Sequence, residues 1–193
     1  MNRLLPVAML AGLGLFAAAS VAGAYEIDPL TRQPLMQNAE SAKAQATTVP
    51  REMVSYGGQH RPGTIVINTS ERRLYLVMPD GKAMRYGVGV GRPGFDWAGS
   101  QTVTRKQEWP TWTPPASMLK RRPDLPRFMP GGPENPMGAR AMYLGSTLYR
   151  IHGSNEPETI GQAVSSGCIR MLNDDVIDLY DRVKVGARVV VAR

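Results

Sequence analysis

Two residues of this sequence can carry out nucleophilic chemistry: Cys168, its single cysteine, and His152, one of its two histidines. A thiol attacks a carbonyl carbon as the thiolate, so a catalytic cysteine needs a nearby base, and an imidazole can be that base. The two residues lie 16 positions apart. This separation allows an apolar strand to end at His152 and the chain to return to the same sheet at Cys168. We therefore interpret them as a candidate nucleophile and its general base.

The residue before the cysteine is a glycine, Gly167. Glycine lets the backbone approach a substrate closely, and the successive N–H groups of Gly167 and Cys168 could bind an oxyanion. A structural interpretation is also available, because a single cysteine is most often a small buried apolar residue and a single histidine often has a structural role. The residue types and their spacing favour catalysis and leave the structural alternative open.

The surroundings of these residues carry a family resemblance. The pair His152-Gly153, followed by Ser-Ser-Gly-Cys-Ile-Arg-Met at 165–171, resembles the signature of the L,D-transpeptidase catalytic domain, the YkuD-type family of bacterial cell-wall enzymes. The likeness includes the His-Gly pair, the Ser-x-Gly-Cys-x-Arg core and their separation, and it extends from about Gly63 to the C-terminus. One departure is Ser166, where many members of the family carry a histidine.

The resemblance implies a role for each residue of the signature. Cys168 is the nucleophile, His152 is the general base and acid, and Gly167 supplies an oxyanion-binding backbone N–H. Ser166 is expected to orient His152 through its carbonyl oxygen. Arg170 is expected either to support the loop or to bind a substrate carboxylate, and its planar guanidinium suits both tasks.

Three further residues are candidates for substrate contact: Gly153, Ser165 and Trp112. We expect Ser165 to act chiefly by hydrogen bonding within the loop. The sequence contains no metal-ligand spacing, and the chemistry described above needs no metal ion and no cofactor.

The first 24 residues have the form of a secretory signal peptide. Arg3 precedes an apolar run from Leu4 to Ala19, and the sequence Ala-Gly-Ala at 22–24 has the small-x-small form of a signal-peptidase site. The run is short for a membrane span. We expect cleavage after Ala24, no transmembrane anchor in the mature chain, and export, which together with the resemblance indicates a Gram-negative periplasm.

The chain is basic, with a formal net charge of +7. Nucleic acid is the usual partner of so basic a protein, but a secretory signal and the lack of a basic stripe with interleaved aromatic residues argue against it. An anionic cell-wall polymer is consistent with both observations. Residues 25–62 are polar and interrupted by prolines and glycines, and we expect a flexible tail that is dispensable for folding.

Residues 63–193 are predicted to form one mainly β domain, a mixed β-sandwich or barrel-like YkuD-type fold with two short helices near the active site. Asn155 and Asn173 are expected to cap those helices. The segment 116–137 is predicted to be a long loop that covers the substrate, with Trp109 and Trp112 packed at its base. Alternation and turn residues predict strands at 64–68, 72–78, 84–90, 102–104, 141–144, 148–151 and 188–191.

The resemblance also implies a reaction. Similar enzymes take a peptidoglycan stem tetrapeptide as acyl donor, release its terminal D-Ala, and transfer the acyl group to a diaminopimelate amine or to a lysine of an outer-membrane lipoprotein. Two alternatives remain open at this point. The same Cys-His pair could serve a hydrolase that uses water as acceptor, or the domain could be a non-catalytic wall-binding module whose cysteine is structural.

Overall fold

The computed structural model of the protein describes residues 49–193. The predicted signal peptide and residues 25–48 of the predicted tail lie outside the described residues. The described chain contains two α-helices, α1 (Ala116–Arg121) and α2 (Asn173–Arg182), and a single 3₁₀ turn at Pro157–Thr159. Its strands are β1 (Glu52–Ser55), β2 (Ile65–Asn68), β3 (Arg73–Met78), β4 (Lys82–Gly87), β5 (Val90–Gly91), β6 (Gly99–Glu108), β7 (Arg140–Leu144), β8 (Arg150–His152), β9 (Ala163–Ser165), β10 (Ile169–Arg170) and β11 (Arg188–Ala192).

Nine of these strands form one curled sheet in the order β1-β4-β3-β2-β11-β6-β7-β8-β10, and β5 pairs with β9 in parallel. Strand β2 shows why the sequence folds in this way. Ile65 and Ile67 are fully buried, whereas the alternating Val66 and Asn68 are only partly buried, as expected for a strand with one face toward a core. The prediction of a mainly β domain with two short helices is confirmed.

Two hydrophobic cores lie on this framework. The larger one is formed by apolar residues of the sheet together with Val176 and Leu179 of α2. The smaller one joins β7 to the 110–137 segment and is composed of Trp112, Met118, Leu125, Met137 and Ala141. Each large apolar side chain buried in this way stabilises the fold by about 1.5–3 kcal/mol.

The 116–137 segment is more regular than the sequence predicted. It begins with α1 and turns back so that Met129 forms an isolated antiparallel bridge with Trp112. Trp112 is buried, as expected for a packing residue, whereas Trp109 is 44% exposed. Met118 of α1 and Leu125 tie the segment to the domain through the smaller core.

Neither predicted asparagine cap forms. Asn155 precedes only the 3₁₀ turn, and its amide donates to the Glu134 carbonyl oxygen. Asn173 is the first residue of α2 and not its cap, because its side chain accepts a hydrogen bond from the Ala139 N–H and donates to the Ser154 carbonyl oxygen. In both cases the asparagine side chain forms hydrogen bonds with a distant part of the chain and none with the helix end.

Among residues 49–193, no helix has the length and apolar character needed to cross a membrane.

The prediction of a flexible tail is wrong for residues 52–55. These residues form β1, which pairs antiparallel with β4 at the edge of the sheet. Just before β1, Arg51 forms ion pairs with Asp175 at 3.7 Å and Asp178 at 3.6 Å in α2. The sequence did not reveal this strand because it is half exposed and has few apolar residues, and its hydrogen bonds depend on an edge strand elsewhere in the chain.

Removal of β1 should therefore destabilise the domain. A chain that begins at Gly57 lacks the four cross-strand pairs with β4 and the Arg51 ion pairs, which together contribute on the order of 2 kcal/mol. Urea unfolding followed by circular dichroism should show a lower midpoint than for a chain that begins at Thr48, which retains β1. Equal midpoints would mean that β1 adds no stability.

Candidate active site

The parallel pairing of β8 with β10 brings the predicted nucleophile and base to one cavity. Ile169 pairs with Ile151, and Arg170 pairs with His152. His152 is the last residue of β8, and Cys168 immediately precedes β10. Both residues line a cavity of about 420 Å³. The structure therefore brings together the two residues that the sequence singled out, as expected from a strand that ends at the base.

The imidazole of His152 is buried and held by the next residue in the chain. Its Nδ1 lies 2.6 Å from the Gly153 carbonyl oxygen. A carbonyl can only accept, so Nδ1 carries the proton and the lone pair lies on Nε2. The prediction that the Ser166 carbonyl orients the ring is wrong, because the Gly153 carbonyl already occupies that position. This tautomer leaves Nε2 able to accept a proton from a thiol.

The electrostatic surroundings keep His152 uncharged. Burial, followed by the positive charge of Arg170, lowers the pKa of His152 from its ordinary value of 6.5 to about 3, although the backbone hydrogen bonds to Gly153 and Met137 act in the opposite direction. At neutral pH the imidazole is consequently the free base. This is the protonation state that a general base requires before the reaction begins.

The resting thiol is not bound to that base. Within residues 49–193 the hydrogen bond of Cys168 Sγ is to the Leu148 carbonyl oxygen at 3.7 Å, and none joins Sγ to the His152 ring. Cys168 is partly exposed and forms no disulfide. Proton transfer to His152 therefore requires the thiol to leave the Leu148 carbonyl.

The loop before the nucleophile is organised by Ser165. The buried Ser165 hydroxyl donates to the Cys168 carbonyl oxygen at 2.6 Å and accepts the Gly167 N–H at 3.1 Å. The expectation of a hydrogen-bonding loop residue agrees with these contacts. In this conformation, however, the Gly167 N–H is not available to an oxyanion, contrary to the prediction. Across the described residues, the Cys168 N–H has no protein acceptor, so this amide is able to bind an oxyanion.

Two aromatic residues that the sequence analysis missed hold the same loop. The indole Nε1–H of Trp97 donates to the Gly167 carbonyl oxygen at 2.8 Å. The Trp97 ring stacks on Tyr149, with 4.3 Å between ring centroids and 4° between planes. Gly167 has φ of +107°, and an added Cβ would lie 2.6 Å from Tyr149 Cε1, so only glycine fits. Trp97 is 70 residues from Gly167 in sequence, and no local signal could have identified it.

Gly153 lies where the chain packs closely. It is not among the residues that line the cavity, so the structure does not support the prediction that Gly153 contacts the substrate. A Cβ at this position would collide with the Oδ1 atom of Asn173. The same Asn173 side chain binds Ala139 and Ser154. Asn173 thereby fixes the segment whose Gly153 carbonyl orients His152, a role that the sequence analysis missed because it assigned Asn173 to a helix cap.

Arg170 is held by a carboxylate within the fold. Its side chain is 2% exposed, and Nη1 donates to Glu156 Oε2 at 2.7 Å and to the Thr159 hydroxyl at 3.3 Å. Of the two roles expected from the sequence, this geometry favours support of the loop, because Glu156 already neutralises the guanidinium. Arg170 still contributes to the cavity wall and to the electrostatic potential at His152.

The remaining residues that line the cavity include several apolar and two basic side chains. Trp112, a predicted contact residue, lines the cavity, and the Ser166 hydroxyl, also at the cavity, is buried without a hydrogen-bond partner in the described part of the chain. Arg121 and Arg150 provide positive charge, and no described residue that lines the cavity is acidic. The apolar wall consists of Trp112, Pro115, Met118, Pro136 and Met137.

Substitution of Arg170 should reveal its structural role. Arg170→Met removes the guanidinium that pairs with the buried Glu156 carboxylate and should lower the free energy of unfolding by about 3–5 kcal/mol. The double variant Arg170→Met/Glu156→Leu removes both charges and should recover most of the loss. Arg182→Met, which breaks a more exposed ion pair with Asp178, is the control and should cost less than about 1 kcal/mol. Urea unfolding that gives Arg170→Met the same loss as the control would contradict this role.

Comparison with known proteins identifies relatives of this chain. Residues 62–191, which include the whole Cys168 and His152 region, match the YkuD family, described as the L,D-transpeptidase catalytic domain. The probable L,D-transpeptidase ErfK/SrfK of Escherichia coli strain K12 is 44% identical over 151 residues, which are 74% of this chain and 47% of that protein. The chain thus spans about half the length of that relative.

Solved structures show the same fold. The crystal structure of a probable carnitine operon oxidoreductase from Brucella melitensis is 43% identical and superposes with a TM-score of 0.52, over 78% of this chain and 99% of that chain. An L,D-transpeptidase from Mycobacterium smegmatis is 18% identical, with a TM-score of 0.55 over 67% of this chain and 58% of that chain. The family match over residues 62–191 carries the assignment: the chain belongs to the YkuD family of L,D-transpeptidase catalytic domains.

Proposed function

We propose that this protein is a cysteine-dependent peptidoglycan L,D-transpeptidase that forms a thioester on Cys168. The observation that carries the proposal is the placement of Cys168 and a neutral, tautomerically fixed His152 on one cavity. Family membership supplies the substrate class. The acyl donor is a stem tetrapeptide of peptidoglycan, and the bond that breaks joins its third residue to the terminal D-Ala.

In the first half-reaction the Cys168 thiol leaves the Leu148 carbonyl and transfers its proton to Nε2 of His152. The sulfur attacks the carbonyl carbon of the third residue, and the Cys168 N–H stabilises the oxyanion of the tetrahedral intermediate. The C–N bond to D-Ala then breaks. The imidazolium returns its proton to the departing amine, which leaves a thioester and a neutral His152. Because His152 is buried beside Arg170, the imidazolium exists only transiently.

In the second half-reaction an acceptor amine attacks the thioester. His152 removes a proton from the amine, the new amide bond forms, and the C–S bond breaks with return of the proton to sulfur. The acceptor in this proposal is the side-chain amine of a second stem's diaminopimelate or a lysine of an outer-membrane lipoprotein. Hydrolysis by the same intermediate would differ only in the use of water.

The cavity suits a donor of this kind. A tetrapeptide carries free carboxylates, and the cavity lining includes the guanidinium groups of Arg121 and Arg150. The apolar wall around Trp112 and Met118 can cover the aliphatic part of the donor and exclude water from the thioester. We place the reaction in the periplasm, supported by the signal-peptide form of residues 1–24. N-terminal sequencing of the native protein should find Tyr25, and an uncleaved N-terminus at Met1 on a cytoplasmic protein would count against that placement.

Intact-mass measurements test the acylation step. Wild-type protein incubated with a disaccharide-tetrapeptide should gain the mass of the donor less D-Ala, and Cys168→Ala should gain nothing. His152→Ala should lower the rate of adduct formation by about 10²–10⁴-fold, the usual contribution of a general base. His60→Ala is the matched control, because His60 does not line the cavity, and it should react as the wild type does.

The outcomes also distinguish the alternatives. Release of D-Ala by Cys168→Ala would exclude the thioester. A wild-type adduct that yields only the hydrolysed donor with every amine acceptor would identify a hydrolase. Absence of any adduct in the folded wild type would favour the non-catalytic module.

The low pKa of His152 makes a prediction about pH. Because the imidazole stays neutral above about pH 3, kcat/KM for acylation should not fall between pH 7.5 and pH 5 through protonation of the base. A histidine with its ordinary pKa of about 6.5 would instead lose most of its activity over this range. Stopped-flow measurement of adduct formation from pH 4.5 to 8 provides the check. An acidic limb centred near pH 6.5 would contradict the buried, neutral state of His152.

A further inference from the structure

Trp97 contacts the nucleophile loop from a position that is not part of the cavity lining. Its Nε1–H donates to the Gly167 carbonyl oxygen at 2.8 Å, and its ring is partly buried against the larger core. The stack with Tyr149, at 4.3 Å between centroids, fixes the plane of the indole. The donor is therefore rigid, and it holds the Gly167 carbonyl in one direction.

The direction of that carbonyl determines the direction of the Cys168 N–H. Both groups belong to the peptide unit between Gly167 and Cys168. No cis peptide bond occurs in the described chain, and in a trans peptide the C=O and the N–H lie in one plane and point in opposite directions. A hydrogen bond that holds the carbonyl toward Trp97 consequently holds the Cys168 N–H away from it.

The other backbone groups of Gly167 and Cys168 are already bound. The Ser165 hydroxyl takes both the Gly167 N–H and the Cys168 carbonyl. Of the four backbone groups of Gly167 and Cys168, the Cys168 N–H alone has no protein partner within the described residues. A hydrogen bond to the carbonyl of a peptide also polarises its N–H and strengthens it as a donor.

We propose that Trp97 is a positioning residue that aims and polarises the Cys168 N–H as the oxyanion donor. This role rests on one part of the proposed function, the acylation of Cys168 through a tetrahedral intermediate. It does not require the tetrapeptide to be the natural donor. Trp97 touches no reacting atom. It acts on the Cys168 N–H only through its hydrogen bond to the carbonyl of the same peptide unit.

The test compares two reactions of the same thiol. With p-nitrophenyl acetate, Sγ bonds to the acetyl carbon, the thiol proton goes to His152, an oxyanion develops, and the C–O bond breaks to release p-nitrophenolate. With iodoacetamide, Sγ displaces iodide from an sp³ carbon and no oxyanion forms. The first rate, measured as the p-nitrophenolate burst, depends on the donor. The second, measured as carbamidomethylation of Cys168 by mass, reports only the access and reactivity of the thiol.

The diagnostic variant is Trp97→Phe, which keeps an aromatic ring over Tyr149 and removes the N–H donor. We expect the acetylation rate to fall by about 10- to 100-fold, as for a misaligned catalytic donor, and the alkylation rate to change by less than about twofold. Trp109→Phe makes the same substitution at an exposed tryptophan outside the cavity and should change neither rate. Trp97→Leu is the second variant if Trp97→Phe does not fold, with the same two expectations.

Selective loss of acetylation would support the proposal. Equal losses in both rates would show that Trp97 only maintains the fold or the reactivity of the thiol. No loss in either rate would show that its hydrogen bond is dispensable. Each of these results overturns the proposal, as does a wild type that is not acetylated at Cys168. A wild type that is acetylated but does not process the tetrapeptide would refute the proposed function and leave the Trp97 proposal intact.

Discussion

The site depends on the parallel contact between β8 and β10, although this contact comprises only two residue pairs. Strand β10 lies at the end of the nine-stranded sheet, where a strand normally has one free edge. Here Gly89 closes that edge, because its N–H and carbonyl exchange hydrogen bonds of 2.9 Å with Arg170. Beyond the strand, the Met171 N–H donates to the His152 carbonyl oxygen. The nucleophile therefore precedes a segment that is bound on both sides.

The charge of Arg170 links the stability of this segment to its chemistry. A buried guanidinium is costly without a partner, and Glu156 provides one at 2.7 Å. The ion pair stabilises the segment between base and nucleophile, while the remaining field of the cation disfavours a second positive charge on His152. Burial acts in the same direction and is the larger cause. The fold thus maintains an uncharged imidazole at the cavity, and in the proposed reaction the charged pair of thiolate and imidazolium forms only during acylation.

The geometry of the nucleophile loop assigns different tasks to neighbouring polar groups. Ser165 binds the Gly167 N–H and the Cys168 carbonyl, Trp97 binds the Gly167 carbonyl, and the Cys168 N–H is left over. A site with one preorganised donor needs no reorientation of the backbone when charge develops on the substrate oxygen. The resting thiol, in contrast, is bound to the Leu148 carbonyl, so the rearrangement that the proposed reaction requires before attack takes place in a side chain.

The sequence alone singled out the candidate nucleophile and base and determined the family, the mainly β class and most of the strands, because these follow from residue types, local periodicity and a motif of fixed spacing. It did not determine which carbonyl orients His152, which amide is free for an oxyanion, or that Arg170 is paired with Glu156. Those outcomes depend on hydrogen-bond partners that compete in three dimensions. The missed contacts have the same origin: β1 requires the distant edge of β4, Asn173 binds Ala139 in place of its own helix end, and Trp97 reaches Gly167 across 70 residues. Local patterns indicate what a side chain can bind, and only the tertiary structure decides which partner is within reach.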